Sequence, residues 1–521
     1  MQFLRGMKKT IILIISALSL VSCSLIDDFL DVEPSKNTDK TIENVDQLES
    51  VIVNYGNYFE EHNDMAMASD DFRMSAKIHS QKPYVAGQLD HLLWNTENTS
   101  NYRYYAWYGE YQKVYYANLV LDYLDKVSGS DEKKAELKAE AHFLRAYCFF
   151  QIALAHTLYY DGSNGDELGI TLKQSPSFEE SLKRASLKDT WDFIDGDLQE
   201  ALKIENPLYD SEGRRQTWRA TNASVKAFMA RYYLYRADYD NAKKYALAAL
   251  DEYSDMKDYN NPSEMYHHET PDIYTINVGT PQQETITIWF PYTKNRVVKD
   301  AQRTFLTEWT GLYYVRTVYD ARFWFAPSED LVQTFYTDVP EGNPNNDLRY
   351  YFHLLPDFGL RSLTKTTEGR EPGYCQFFYS DIISGPTTAE MCLIAAEVLA
   401  REGKVSEAME YVEKVRKNRI VTAVYTPLQV SSQKEAIKKI LQERRREMPF
   451  SIRWYDMKRL NANDPDNQIT VTREFFEYNT TTVMTDKPKT YTLEPGSRRY
   501  ALPIYNDEIA NTYGEVEQNK Y

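Results

Sequence analysis

A chain of 521 residues with 42% hydrophobic and 26% charged side chains has ordinary globular composition, which excludes a disordered polymer and allows several cores. Its net charge of −17 argues against a nucleic-acid partner, because phosphate recognition needs clustered Lys and Arg. Four cysteines make no disulfide framework, and the 42 Tyr, 22 Phe and 8 Trp are the unusual feature, suited to half-buried cores and to polar ligand surfaces alike.

At the N-terminus, Arg5, Lys8 and Lys9 precede the apolar run Ile11–Val21. The run is too short to cross a bilayer and suits the apolar part of a secretory signal. Leu20-Val21-Ser22-Cys23 resembles a bacterial lipobox. That resemblance implies a signal peptide over 1–22, acylation of Cys23 and a lipidated tether over 23–36, with several acyl chains giving stable anchoring. No later segment is apolar for long enough to span a membrane.

The next unit, 37–254, reads as helical. Within it, residues 92–116 (LLWNTENTSNYRYYAWYGEYQKVYY) divide in two. Tyr104, Trp107, Tyr108, Tyr111 and Tyr115 fall at i, i+3, i+4, i+7 and i+11 after capping residues at Ser100 or Asn101, which predicts a helix with these rings in the core. The preceding segment has no such period, so Trp94, Asn98 and Tyr102 are placed in a polar binding loop. Ala141, Leu144, Arg145, Cys148, Ile152 and Ala155 form one stripe of a long helix, and Trp191, Ile194, Leu198 and Leu202 another. Residues 220–253 read as two helices joined at RADYD, and 387–420 repeat the design around REGK. Small residues at the contact positions let paired helices approach closely, and each unit is near the tetratricopeptide period. Cys148 and Cys392 sit in these patterns as small hydrophobes.

Residues 255–385 change character: ETITIWF (284–290) alternates like a strand, and Ser328 caps a helix whose first turn carries Glu329 and Asp330. Residues 386–521 return to helix, with 460–500 again loop-rich. The expected fold class is therefore mainly α: tetratricopeptide-like helix pairs forming a scaffold, with a loop-rich, mixed α/β insertion.

Several stretches in order resemble the SusD/RagB family of outer-membrane nutrient-binding lipoproteins. AEAHFLRAYCFFQIALAHTLYYDG (139–162) is similar to the family's long helix with its FLRA core, and 219–246 and 389–419 are similar to its helix pairs. ILQERRREMPFSIRWYDMKRL resembles its charged motif, carried here by Glu443, Arg444, Glu447, Arg453, Asp456 and Arg459. LPIYNDEI and VEQNKY resemble its C-terminal signature, with Lys520 where Pro-Gly is usual and MPFSIR where an apolar-Glu-Gly turn is usual. The resemblance implies a lipoprotein on the outer face of the outer membrane. It implies capture of an oligosaccharide for a SusC-like TonB-dependent transporter, with no bond chemistry, cofactor or metal. A peptide ligand, as in the RagB branch, and a lipid-anchored glycoside hydrolase are the alternatives.

The residues themselves agree. The six signature charges are spaced to form an ion-pair network rather than a general acid, since nearby Arg lowers a carboxylate pKa. No G-x-S-x-G, H-E-x-x-H or G-x-x-x-x-G-K-[ST] occurs; His267-His268 sits in a polar loop, and DGSNGDE (161–167) reads as a turn. Sugar rings stack on Trp or Tyr while their hydroxyls need polar partners. The expected ligand residues are Asp70, Asp71, Arg73, Trp94, Asn98 and Tyr102 from the N-terminal region. Trp309, Tyr313, Tyr314 and Trp324 are expected from the middle insertion.

Overall fold

The computed structural model describes residues 42–54, 60–73, 87–96, 105–262, 264–265, 272–277, 283–288, 308–319, 325–359, 371–374, 376, 381–480 and 483–521. The leader, Cys23, the tether and the His267-His268 pair lie outside them, as do the expected caps Ser100 and Asn101. Numbering only helices of eight residues or more, the order is α1 (Val45–Ile52), α2 (Tyr105–Tyr123), α3 (Asp131–His156), α4 (Leu187–Ala201), α5 (Asn222–Tyr235) and α6 (Tyr239–Glu252). It continues with α7 (Thr388–Arg401), α8 (Val405–Lys417), α9 (Gln433–Glu447) and α10 (Arg453–Asn463). No described helix is long and apolar enough to cross a membrane.

The helices form where the sequence stripes place them, and local chemistry sets their ends. Ser130 accepts a hydrogen bond from the Lys133 N–H to start α3, with Asp131 and Glu132 in the first turn facing the positive end of the dipole. Every residue of the predicted α3 stripe is buried. At the other end Lys458 Nζ donates to the carbonyls of Leu154 (2.8 Å) and Thr157 (2.6 Å), and Asn519 Nδ2 donates to that of His156 (3.0 Å). Lys458 of the charged motif and Asn519 of the C-terminal signature thereby close α3, satisfying carbonyls that a helix end leaves without partners. The pair α5–α6 starts on a capping box of Thr221 and Ser224 and turns through Ala237, with Asp238 capping α6. The pair α7–α8 turns at Gly403, whose φ of +81° favours glycine. Lys243 on α6 pairs with Glu402 at the end of α7, so the two pairs adjoin despite their distance in sequence.

The main core lies among α1–α6, where Phe150 meets Trp191, Phe228, Tyr232, Tyr235 and Tyr455 edge-on or tilted. A second core fills the space between α7, α8 and α9, and Cys392 lies in it with its thiol pushed up to about 12 by burial. The insertion carries short sheets, one of which takes in a strand from the N-terminal region. Strands β1 (Glu60–His62), β4 (Thr317–Tyr319) and β7 (Asp381–Ile383) join in the order β1-β4-β7, β1 parallel to β4 and β7 antiparallel to it. The hairpins β2–β3 (Asp272–Asn277, Gln283–Ile288) and β5–β6 (Leu354–Gly359, Glu371–Tyr374) complete it. The Ser328 cap is present, on the six-residue helix Glu329–Thr334.

Two expectations fail. Residues 460–500, read as loop-rich, contain the long antiparallel ribbon β8 (Val471–Thr480) and β9 (Val483–Leu493). It pairs backbone to backbone with much of both faces polar, so hydrophobic alternation is too weak a signal for it. The spacing also predicts that Trp107, Tyr108, Tyr111 and Tyr115 of α2 lie in the core. Trp107 is buried, but Tyr108 and Tyr115 stand 39% and 38% exposed.

Candidate functional site

The expected N-terminal ligand residues are largely held inside. Asp70 receives both arms of Arg453, from Nε (2.6 Å) and Nη2 (2.8 Å), and Asp71 accepts from Arg445 Nε (2.7 Å) and the Phe450 N–H (2.9 Å). Burial alone would raise the Asp70 carboxyl, and the Arg445 and Arg453 guanidiniums outweigh it, holding it well below the carboxylate range. Trp94, expected in an open loop, has a φ of 51°, is 3% exposed and donates from Nε1 to the Ala68 carbonyl (2.8 Å). Arg473 lies over its ring at 4.6 Å and donates to the carbonyls of Met67, Ser69, Phe72 and Leu92. A guanidinium from β8 thus seals a segment 404 positions earlier at Ser69. Arg73 reaches the surface and pairs with Glu329 at 3.3 Å.

The middle candidates also pack inward. Trp309 is 5% exposed beneath Lys257 Nζ, 4.1 Å from its centroid. Tyr313 donates its hydroxyl to the Tyr253 carbonyl (2.5 Å), and Tyr314 packs edge-on to Phe143. In this conformation these side chains offer no open ring face to a ligand. Asn98, Tyr102 and Trp324 lie outside the described residues.

The signature charges sit in a buried lattice whose partners come from distant elements. Arg444 grips Asp456 (3.0 and 2.9 Å) and reaches Glu390; Arg459 bridges Asp456 (2.7 Å) and both oxygens of Glu397 (2.7 and 2.8 Å). Glu443 meets Arg349, Arg416 and Arg446, and Glu447 meets Arg349 and Arg419. Burial opposes ionisation of Glu397, but Arg459 and Arg401 hold it down at about 2. The surrounding guanidiniums likewise outweigh burial at Glu443 and Glu447 and hold both below the usual carboxylate range, which leaves Glu397, Glu443 and Glu447 unsuited to donating a proton near neutral pH.

The open site lies elsewhere. A groove of about 470 Å³ runs between α2, the segment 171–182 and the C-terminal segment 508–516, with Tyr108, Tyr111, Tyr115 and Phe178 among its rings. Gln112, Ser175, Ser177 and Thr512 bring amide and hydroxyl groups to the same walls. Its volume and mixture match a small-ligand cleft. Tyr115 and Phe178 lie nearly parallel, 23° apart with centroids at 6.3 Å, and Phe178 is 91% exposed. The wall bearing Phe178 is tied from beneath: Glu180 accepts from the Gln174 N–H (3.0 Å), the Ser175 N–H (3.2 Å) and Ser175 Oγ (3.1 Å). Asn118 Nδ2 donates to the carbonyls of Lys173 (3.0 Å) and Ser175 (3.4 Å), and the Tyr111 hydroxyl to that of Thr171 (2.7 Å). Asn118 is in turn held by Arg145 of the FLRA stretch, which forks onto Asp197. Sequence reasoning missed Phe178; its one signal is an aromatic between Pro176-Ser177 and Glu179-Glu180, in a segment with no core period. Asp161 accepts from the N–H groups of Ser163 and Asn164 in a turn, and among the described residues no acidic, His or Cys group is arranged for a metal ion.

A helix-pair scaffold with an open aromatic groove and a charge lattice committed to structure defines a ligand-binding protein. The family "Starch-binding associating with outer membrane" matches residues 28–234, and the "SusD family" matches 388–521, together well over half of the chain. The chain belongs to the SusD/RagB family of non-catalytic, glycan-binding, outer-membrane-associated proteins. Solved structures share the fold. A SusD superfamily protein from Bacteroides thetaiotaomicron is 15% identical, with 92% of this chain and 100% of that one covered and a TM-score of 0.61. The surface glycan-binding protein A of Bacteroides uniformis is 15% identical, with 91% and 98% covered and a TM-score of 0.60. A SusD-like carbohydrate binding protein from Bacteroides vulgatus is 15% identical, with 91% and 97% covered and a TM-score of 0.56. A search of curated proteins gave no match.

Proposed function

We propose that this protein is a lipid-anchored receptor that captures an oligosaccharide at the cell surface and delivers it to a SusC-like TonB-dependent transporter. The observation that carries the ligand class is the open groove, in which aromatic faces and amide or hydroxyl groups share the same walls. Ring faces gain from stacking on Tyr and Phe, and hydroxyls exchange water for fixed polar partners. A peptide ligand would favour an exposed strand edge or a row of backbone-directed donors. The lipobox resemblance supports acylation of Cys23, with 23–36 as tether. The division of the chain at 37–254, 255–385 and 386–521 belongs to the same reading, as do Arg73, Asn98, Tyr102 and Trp324 as further contacts.

Calorimetry on a soluble Cys23→Ala form, titrated with neutral oligosaccharides, oligogalacturonates and peptides, tests this. Glycan binding without cleavage is the expected result. Binding of peptides alone, or release of cleaved product, would overturn it. Co-purification of the acylated protein with the transporter tests delivery.

A further inference from the structure

We infer that the groove between α2, segment 171–182 and the C-terminal segment is itself a binding site for an uncharged, extended oligosaccharide, with Tyr108, Tyr115 and Phe178 as its stacking faces. This rests on the glycan-binding reading above and adds a contact surface built from none of the N-terminal and middle residues that the sequence suggests.

The first support is the cost of exposing these rings. Phe178 is 91% exposed, and no packing demand explains a phenylalanine there. It does not sit on a loose loop. Glu180, Asn118 and Tyr111 fix the loop backbone on one side, and Glu515 Oε2 accepts from the Leu182 N–H (2.9 Å) and Ser181 Oγ (3.2 Å) on the other. A side chain held outward by a braced backbone is preorganised for something that covers it. The second support is spacing. Tyr108 and Tyr115 are two helical turns apart, about 10.5 Å along the axis. With Phe178 continuing the ledge beside Tyr115, the apolar surface is long and narrow, suited to successive rings of a chain rather than to one compact ligand.

Charge decides the class. The groove's cation, Lys173, is already paired with Glu180 at 3.1 Å, and Glu508 is also in the lining. The chain carries −17 overall, so a polyanion meets a repulsive field with no cation cluster among the described lining residues to oppose it. A neutral glycan meets neither penalty.

The test is calorimetry on the mature Cys23→Ala chain with oligosaccharides of glucose, xylose and mannose, and with oligogalacturonate of matched length. Parent, Phe178→Ala, Tyr115→Ala and Tyr351→Ala are compared; Tyr351 is an exposed tyrosine outside the groove lining. One neutral series is expected to bind the parent and Tyr351→Ala equally. Phe178→Ala and Tyr115→Ala should each weaken it about tenfold with melting temperature unchanged. Parental affinity in both groove variants overturns the site while leaving glycan binding intact. Equal or tighter oligogalacturonate binding overturns the neutral class. No glycan bound by the parent defeats this inference and the wider reading together.

Discussion

Asp70, expected from the sequence as a ligand contact, is gripped by Arg453, which makes Arg453→Ala the most informative substitution. Arg453 holds both oxygens of Asp70, at 2.6 and 2.8 Å, and the two side chains keep only 9% and 10% of their full exposure. Removing one member of a buried pair costs about 3–5 kcal/mol, because the remaining charge stays desolvated without its partner. Arg445 remains 3.4 Å from Asp70 and offsets part of this, so ~3 kcal/mol is expected. With an unfolding entropy of about 2 cal/mol/K per residue, that is a fall of ~3 °C if the chain unfolds as one unit. Urea denaturation gives the free energy directly. Adding Asp70→Ala removes the orphaned carboxylate and its repulsion of Asp71, so the double variant should be less destabilised than the sum of the singles by ~1.5 kcal/mol or more. The pH dependence has a fixed sign. Asp70 titrates below its unfolded value, so its contribution is complete above the ordinary carboxylate range and is lost as pH falls through the folded value. The deficit of Arg453→Ala should therefore hold from pH 8 to pH 5 and shrink in acid. An unchanged unfolding midpoint combined with lost glycan affinity would refute the reasoning and return this pair to the ligand.

Burial pushes the Asp90 carboxyl up to about 6, against hydrogen bonds from Tyr478 and Asn95, and its Oδ2 has no hydrogen-bond partner among the described residues. Its folded value lies above its unfolded one, so ionisation opposes folding above pH 6 and ceases to do so as pH falls towards 4. Asp90→Asn keeps an acceptor for Tyr478 and should stabilise the protein by ~1–3 kcal/mol at pH 7, with the gain absent in urea unfolding at pH 4. Arg473→Lys cannot span the four carbonyls of Met67, Ser69, Phe72 and Leu92; a loss of ~2 kcal/mol or more and faster amide exchange across 87–94 are expected. Asn519→Ala strips a donor from the carbonyls of His156 and Leu502, and should cost ~1–2 kcal/mol in thermal unfolding with glycan affinity unchanged.

Local structure was legible because it depends on near neighbours. The α3 stripe, the two helix pairs with their turns at RADYD and REGK, and the Ser328 cap all follow from spacing within a few turns. The ordered signature stretches pointed to the family for the same reason, being contiguous runs. The ribbon β8–β9 escaped notice because its pairing is backbone to backbone and its faces carry no clean alternation.

Spacing and composition along the chain specify a helical-pair scaffold, an excess of aromatic rings and a set of charges placed for mutual pairing. Which of these groups end up inside depends on long-range packing. Arg453 finds Asp70 across 383 positions, and Arg473 closes over Trp94, so residues that look like a polar binding loop become interior. The rings of α2 surround the helix, and its periodicity cannot distinguish a packed face from an open one. That distinction came from the segments that pack beside it, which bury Trp107 and leave Tyr108, Tyr115 and Phe178 facing outward. Burial belongs to the whole fold, because it depends on which distant surfaces arrive.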